Sequence, residues 1–499
     1  MKTTLAATLA CCALTIFGCS EDESSSGPGG SFFDAGQDAE TGEDAPLPEA
    51  GPEAEAGEDA ATLPRPSVDG LFDEWTEADK LAEDPAGDGT SVFDVTSVWA
   101  TSRGTDLYVR VKVGSEPRNM QSGWPGETAL RFEIGLPGDR RLSVDLREHT
   151  VTADGQGLRW SEVGFQSAPT TASTEVEIKL ELSALGVVQG DSITVDFSGS
   201  DALASPVPYV LKHDAMEPER RDPGRAPGTW FRIASLNVEW DGLVEPGRAE
   251  PMGRLLHGAA ADIYCLQEVW NTEASQIASR LSEIDPHGDG AVWNVHRTGD
   301  TAIATRAELT PLPHNHFTNP PYTGAGIELG DGSRVMVFTV RPTCCGFIGN
   351  PADQQRIGQF QLLVSTIAAL RDGTLGSELE PFAKAPVVVF GDWNLVGSTT
   401  PLDVMLDPSG PGLERWLLRH LVGDGAIFTW RNDELGSFAP GALDVLAYGS
   451  VDPANELTPI SGYVLDTEQL DVAMLEQLGL QGSDSLSTDH LLLVADFGR

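Results

Sequence analysis

Two lobes of different texture run through the 499 residues: an all-β sandwich first, then a larger domain of mixed α and β structure. Three observations predict this α+β organisation. Short runs at 92–100, 106–113, 129–134, 142–146, 176–182 and 193–197 largely alternate apolar with polar residues, and Gly, Pro, Asp and Asn punctuate them. From about 229 the texture changes, and apolar strands begin to alternate with helical patterns. Ahead of both lobes lies an acidic Ser/Gly/Pro-rich stretch that cannot build a core.

Composition bounds the function. With 32 Lys and Arg against 76 Asp and Glu, the net charge is −44, and only 40% of residues are apolar. Such an acid excess repels phosphates at long range, so binding nucleic acid by bulk charge is excluded, whereas local binding at a metal site is not. Six cysteines in so long a chain exclude a disulfide-stapled fold.

Met1-Lys2 and the apolar run 5–17 form a targeting segment too short to span a bilayer. It ends in Ile16-Phe17-Gly18-Cys19, which resembles a bacterial lipobox. The resemblance implies that 1–18 is a lipoprotein signal peptide and that Cys19 is lipid-modified, with Ser20 implying the outer membrane or cell surface. Ordinary secretion with a free Cys19 is the alternative. Residues 19–64 then read as a disordered tether: 13 acidic residues and no Lys or Arg keep it extended.

Residues 65–213 are the β-sandwich. Val68-Asp69-Gly70, Asp73-Glu74-Trp75 and Asp106-Leu107-Tyr108-Val109 resemble the start of a family 9 carbohydrate-binding sandwich. Trp75, Trp99, Trp124 and Trp160 have the chemistry to stack on a polysaccharide, although aromatic residues at such spacings are more often core. A polar, Pro-bearing linker follows at 214–228.

In 229–499 the ends of the strands carry the information. A strand from 231 ends in Asn237 and Glu239, a short helix spans 252–260, and the strand 262–269 delivers Glu268. Thr272 is placed to cap a helix bearing Ile277, Leu281 and Ile284. Strands follow at 300–305 and 334–340. A helix over 352–370 presents Ile357, Phe360, Val364 and Ile367 at helical spacing. The buried strand 386–390 runs into Gly391-Asp392-Trp393-Asn394, and strands at 427–430, 442–448 and 489–494 complete the set.

Asn237, Gln267-Glu268, Gly391-Asp392-x-Asn394, Leu443-Asp444 and Ser487-Thr488-Asp489-His490 occur in the order of the endonuclease/exonuclease/phosphatase superfamily, whose members resemble deoxyribonuclease I. The resemblance implies a four-layer α/β/β/α sandwich with the site at one rim, and hydrolysis of phosphoesters. Such hydrolysis needs charge neutralised around phosphorus and a water aimed in line. Glu268 suits Mg2+, Mn2+ or Ca2+, and Glu239 and Asp489 stand where relatives carry supporting carboxylates. Asp392 can hold or deprotonate the water, Asn394 can fix it, and Asn237 can donate to a nonbridging oxygen. His490 offers a donor or a proton acceptor, with Asp444 as its orienter. Which of Asp392 and His490 is the base stays open.

One position departs from the pattern. Where relatives often carry a His near the end of the 334–340 strand, this chain has Arg341, which keeps its proton but can clamp phosphate. Cys265 reads as a small buried group, and Cys344 and Cys345 have the option of bridging to each other or to Cys265. His314 and His316 read as a solvated loop. Trp393 and Trp430 flank the expected rim.

Residues 229–499 hold 15 Lys and Arg against 35 Asp and Glu, with no basic cluster to mark a groove. Extracellular nucleic acid hydrolysis ranks first. A sphingomyelinase-like phospholipid phosphodiesterase, a small-molecule phosphatase and an inactive glycan-binding surface lipoprotein follow. Oligomeric state leaves no trace in the sequence.

Overall fold

A computed structural model of the chain describes residues 66–89, 93–121, 128–285, 292–313 and 320–499. The signal segment with Cys19, the acidic stretch 19–64, Trp124, His314 and His316 lie outside the described residues. Among the described residues no helix is long and apolar enough to cross a membrane.

The N-terminal lobe is sandwich-like. A five-stranded sheet runs in the order Lys80–Glu83, Val95–Arg103, Asp106–Val113, Glu175–Glu181, Gln166–Ala168. A six-stranded sheet runs in the order Val207–Val210, Ser192–Gly199, Leu130–Leu136, Arg140–Asp145, Thr150–Ala153, Gln156–Leu158. Every pairing within both is antiparallel, and alternate residues of each sheet, such as Val98 and Val109 from one and Phe132 and Val195 from the other, share one core. Trp75, Trp99 and Trp160 are buried, which removes them as surface platforms for sugar.

The C-terminal lobe holds two six-stranded sheets. The first runs Asn294–Thr298, Thr301–Thr305, Ile263–Gln267, Phe231–Asn237, Leu492–Gly498, Thr458–Leu465. The second runs Glu308–Pro311, Tyr322–Glu328, Arg334–Val340, Val387–Asp392, Asp444–Gly449, Glu414–Trp416. Ile233, Ile263 and Ile303 of the first share an apolar cluster with Val337, Val388 and Phe390 of the second. The remaining face of the first sheet packs on helices Ala249–Ala259 and Ala274–Ile284, and that of the second on helix Pro351–Arg371.

Pairing direction positions the site. Most pairs are antiparallel, but Phe231–Asn237 runs parallel to Ile263–Gln267, and Arg334–Val340 parallel to Val387–Asp392. Parallel neighbours end at the same edge, so Asn237 sits beside Gln267, and Val340 beside Gly391. The antiparallel partner of Asp392 is Asp444.

Three local expectations are corrected. The helix Ala274–Ile284 is capped by Glu273, in a capping box with Gln276, because Thr272 turns its hydroxyl to Asp241 instead. The long helix buries Asp353, Arg356, Phe360, Leu363, Ile367 and Leu370. Of the four apolar positions expected to face inward, Phe360 and Ile367 are buried and Ile357 and Val364 only partly so, while Asp353 and Arg356 take the buried positions of the first turns. Residues 427–430 form no strand: Trp430 makes only isolated bridges, to Gly441 and to His490. The linker 214–228 is tied to the C-terminal lobe. Glu219–Arg220 pairs with Val422–Gly423, and Pro223 O accepts from Arg232 Nη1 and Tyr463 Oη.

Candidate active site

At the shared edge the chain leaves its strands in strained conformations. Glu239, Trp240 and Asp241, just beyond the Phe231–Asn237 strand, all have positive φ, as do Glu268 (61°) and Asn394 (47°). A left-handed non-glycine residue costs about 1–3 kcal/mol and persists only where its surroundings fix it. Here hydrogen bonds do so: Asn237 Oδ1 accepts from Glu239 N (3.0 Å), Glu268 Oε2 from Trp240 N (3.2 Å), and Asp392 Oδ1 from Asn394 N (2.8 Å). Gly391 is required where it stands, since a Cβ there would lie 2.5 Å from Val340 O.

Asn237 links the two principal carboxylates. Its Nδ2 donates to Glu268 Oε1 (3.1 Å) and to Asp392 Oδ2 (3.3 Å). Asn394 Nδ2 donates to Asp392 Oδ2 (3.0 Å) and to Pro342 O (3.1 Å). His490 Nδ1 lies 2.8 Å from Asp444 Oδ2, and its Nε2 lies 3.9 Å from Asp392 Oδ2. Thr429 Oγ1 accepts from the backbone N–H of Asp444 (2.9 Å), while Thr488 Oγ1 donates to Asn237 O (2.9 Å). Asn237, Glu268, Asp392, Asn394, Asp444 and His490 thus converge as expected.

Burial and charge set the protonation states. Burial disfavours a charged imidazole, yet Asp444 and Asp392 outweigh it and raise His490 well above the usual histidine range. Burial raises Asp392, and the His490 charge opposes that rise. Burial would also raise Glu268, but Arg341 foremost, then the Asn237 amide and the Trp240 N–H, hold it below its ordinary value.

Glu239 and Asp489 are less engaged with the centre. Glu239 Oε2 accepts from Arg248 Nη1 (2.9 Å), and Asp489 Oδ2 from Trp430 Nε1 (2.8 Å). Burial, reinforced by the charge of Asp489, raises Glu239. Among the described residues, the tight three-ligand group at this edge is Asp392, Asp444 and His490, not a trio of Glu239, Glu268 and Asp489.

Arg341 points at the carboxylates. Its Nη2 lies 3.0 Å from Glu268 Oε1 and its Nη1 2.8 Å from Asp300 Oδ2, with the guanidinium over the Trp270 ring. Asp300 went unassigned in the sequence, where its signal is an acid placed just before a fully buried strand, Thr301–Thr305. Trp240 and Trp270 were also missed. Their rings stack at 5.7 Å, and Asp241 ties the two loops by accepting from Asn271 N and Thr272 N. Cys265 is buried between the sheets, and Cys344 and Cys345 are free thiols beside the site. Trp393 packs under the edge on Phe360.

A cavity of about 270 Å3 opens on Glu268, Arg341, Asp392, Asn394, Asp489 and His490. Glu268 and Asp392 present hard carboxylate oxygens, which fit a divalent cation of the Mg2+, Mn2+ or Ca2+ class.

Comparison with known proteins follows the same edge. Residues 234–462 match the model of the Endonuclease/Exonuclease/phosphatase family. No curated protein matches. Among solved structures, D. rerio TDP2 complexed with single-strand DNA product shares 18% identity at a TM-score of 0.36, over 54% of this chain and 99% of that one. An endonuclease/exonuclease/phosphatase from Bacteroides vulgatus shares 13% at 0.35, over 54% and 98%. The 3′ phosphatase NExo from Neisseria, bound to product DNA hairpin, shares 17% at 0.34, over 54% and 100%. The family match contains Asn237, Glu268, Asp392 and Asp444 and stops short of His490; with the oxygen donors gathered at this edge, it supports a metal-dependent phosphoesterase in the C-terminal lobe.

Proposed function

We propose that the protein hydrolyses phosphodiesters, foremost in extracellular nucleic acid, with a divalent cation, Mg2+ before Mn2+ or Ca2+, held foremost by Glu268. One observation carries this reading: the Asn237 amide bonds both carboxylates within reach of the His490–Asp444 pair, at the mouth of one cavity. A bound cation would neutralise charge on the phosphoryl oxygens. The chain's own residues supply the rest. Asp392 accepts the proton of the attacking water, and Asn394 orients that water. His490, oriented by Asp444 at Nδ1, has its Nε2 toward Asp392 and is placed to donate to a phosphoryl or leaving oxygen. Asn237 donates to a nonbridging oxygen once substrate displaces one of its carboxylate contacts. Glu239 and Asp489 support the metal site from its rim.

The layer order helix, sheet, sheet, helix is part of this reading, as are the boundaries 65–213 for the sandwich and 229–499 for the hydrolase. A lipid on Cys19 and the acidic stretch 19–64 would hold the enzyme off the outer face of a bacterial envelope. A second reading, hydrolysis of small phosphoesters, draws on the modest size of the cavity.

The test is a substrate panel on the full chain: single- and double-stranded DNA, RNA, sphingomyelin and phosphomonoesters, each with Mg2+, Mn2+ or Ca2+. Cleavage that vanishes with chelator and falls by about 100-fold or more in Asp392→Ala and His490→Ala is the expected result. Hydrolysis of no substrate under any cation, or activity untouched by both substitutions, overturns the reading.

A further inference from the structure

The cavity that opens on Asp392 and His490 is not built by the hydrolase lobe alone. Asn119, Gln121 and Thr170 of the N-terminal sandwich line it as well. Asn119 is buried, and it ties down two loops of the site. Its Oδ1 accepts from Ile348 N (2.8 Å), in the loop after Arg341, and its Nδ2 donates to Gly397 O (3.3 Å), in the loop after Asn394. Thr170 Oγ1 donates to Leu395 O (2.6 Å), and Ala172 N to Gly397 O (2.6 Å).

The far wall is the loop 431–441, and the sandwich holds it too. Gln121 Oε1 accepts from Ala439 N (3.1 Å), and Trp160 Nε1 donates to Ser437 O (2.8 Å). Ser161 Oγ donates to Asp433 Oδ2 (2.7 Å), and the rings of His149 and Phe438 lie 3.8 Å apart. Ala439 belongs to the sandwich's own apolar core. Trp430, Phe438, Ala439 and Leu443 make this wall apolar, directly beside the carboxylates and imidazole.

A strand passing through an open groove needs an exit on both sides of the scissile phosphate. Here one side is a wall welded to a second domain. The space left, about 270 Å3, lies just under the usual range of about 300–1,000 Å3 for small-molecule pockets. An apolar wall next to a phosphoryl site suits one flat, weakly polar group, with the polar contacts kept for the phosphate.

We propose that the sandwich is part of the substrate site, closing the cavity so that it accepts a phosphoester with one substituent no larger than a nucleoside: the terminal nucleotide of a strand, or a free small phosphoester. This inference rests on the phosphoesterase reading and narrows its substrate class. Gln121 and Phe438 set the limit, one by holding the loop and the other by filling the wall.

The full chain is given three substrates with Mg2+ or Mn2+: end-labelled linear single-stranded DNA, the same strand as a covalently closed circle, and bis-para-nitrophenyl phosphate. The expected result is hydrolysis of the small ester and resistance of the circle. Mononucleotides as the first products of the linear strand identify a terminal nucleotide as the occupant, and inert DNA beside a hydrolysed ester identifies a free phosphoester. Phe438→Ala is expected to raise KM for the ester by about tenfold with kcat little changed. Circle and linear strand cut at equal rates, with internal fragments first, overturn the closed-site inference while leaving the phosphoesterase reading intact. Hydrolysis of none of the three removes both.

Discussion

Arg341 presents the sharpest question of any single residue, because its guanidinium rests on the carboxylate that a cation would use. It is held from three sides, by Glu268, by Asp300 and by the Trp270 ring. The expectation of a phosphate clamp therefore needs refinement: in the free protein Arg341 neutralises Glu268, and it can turn to phosphate only by loosening that pair. A fixed positive charge beside Glu268 also opposes a second cation. Arg341→Ala is expected to tighten Mn2+ binding by about tenfold through loss of that repulsion. The same substitution should lower kcat/KM by about 10–100-fold, the worth of one charge-assisted hydrogen bond to the phosphoryl group. Calorimetric Mn2+ titration alongside steady-state kinetics separates the two effects. Unchanged metal affinity together with an unchanged rate would leave Arg341 with a packing role only. Arg341→Lys keeps the charge but not the two-pronged fork, and should restore the metal affinity while recovering little of the rate.

At the scale of elements, strand ends were legible and loop partnerships were not. An apolar or alternating run locates a strand, and the polar residue at its end stands at the sheet edge; this is how Asn237, Glu268 and Asp392 could be read, and the order of the family's motifs added Asp444, which begins its strand. The His490 position followed in the same way, although its regular strand begins only at Leu492. Asn119 left no such trace, because its partner Gly397 lies 278 residues away. The first turn of the helix Pro351–Arg371 escapes a reading by pattern for a related reason. Apolar spacing favours Ile357, but the buried face carries Asp353 and Arg356, which bind loops rather than core. Asp353 accepts from Ser398 N (2.9 Å) and Gly349 N (2.8 Å), and Arg356 donates to Thr343 O (2.7 Å) and to Val396 O. Together they fasten the loops that follow Arg341 and Asn394. Removing one member leaves the other buried and uncompensated, so Asp353→Ala and Arg356→Ala are each expected to cost about 3–5 kcal/mol, read by chemical denaturation. Glu283, the exposed partner of Arg280, is the control, and Glu283→Ala should change stability by less than about 1 kcal/mol.

Across the whole molecule, the described part of Leu63–Arg499 forms one compact unit, and the first residues of the sandwich act as the strap between lobes. Ser67 Oγ donates to Gly425 O (2.8 Å), Ile427 N donates to Val68 O (3.1 Å), and Arg419 pairs with Asp69. The other side of this strap rests on Glu177, a fully buried acid whose carboxylate accepts from Asp69 N, Gly70 N and Trp75 Nε1. Burial pushes Glu177 up to about 8, with the neighbouring acids Glu74 and Asp69 adding to the rise against those hydrogen bonds. In the unfolded chain the same group titrates at its ordinary value of 4.5. Between these two values the folded state binds the proton more tightly, so folding loses stability as pH rises through that window and gains none above it. Glu177→Gln cannot ionise. It gives up one of the three hydrogen bonds and so starts less stable than the parent at acid pH. The difference in melting temperature between parent and Glu177→Gln should then narrow and reverse sign as pH rises from 4.5 to 8. A difference that stays constant across that range would mean that Glu177 is not the group whose proton the folded strap retains. Because the strap joins the lobe that walls the cavity to the lobe that carries Asp392, the same titration should loosen the wall, and KM for a small ester should rise over the same interval in the parent but not in Glu177→Gln.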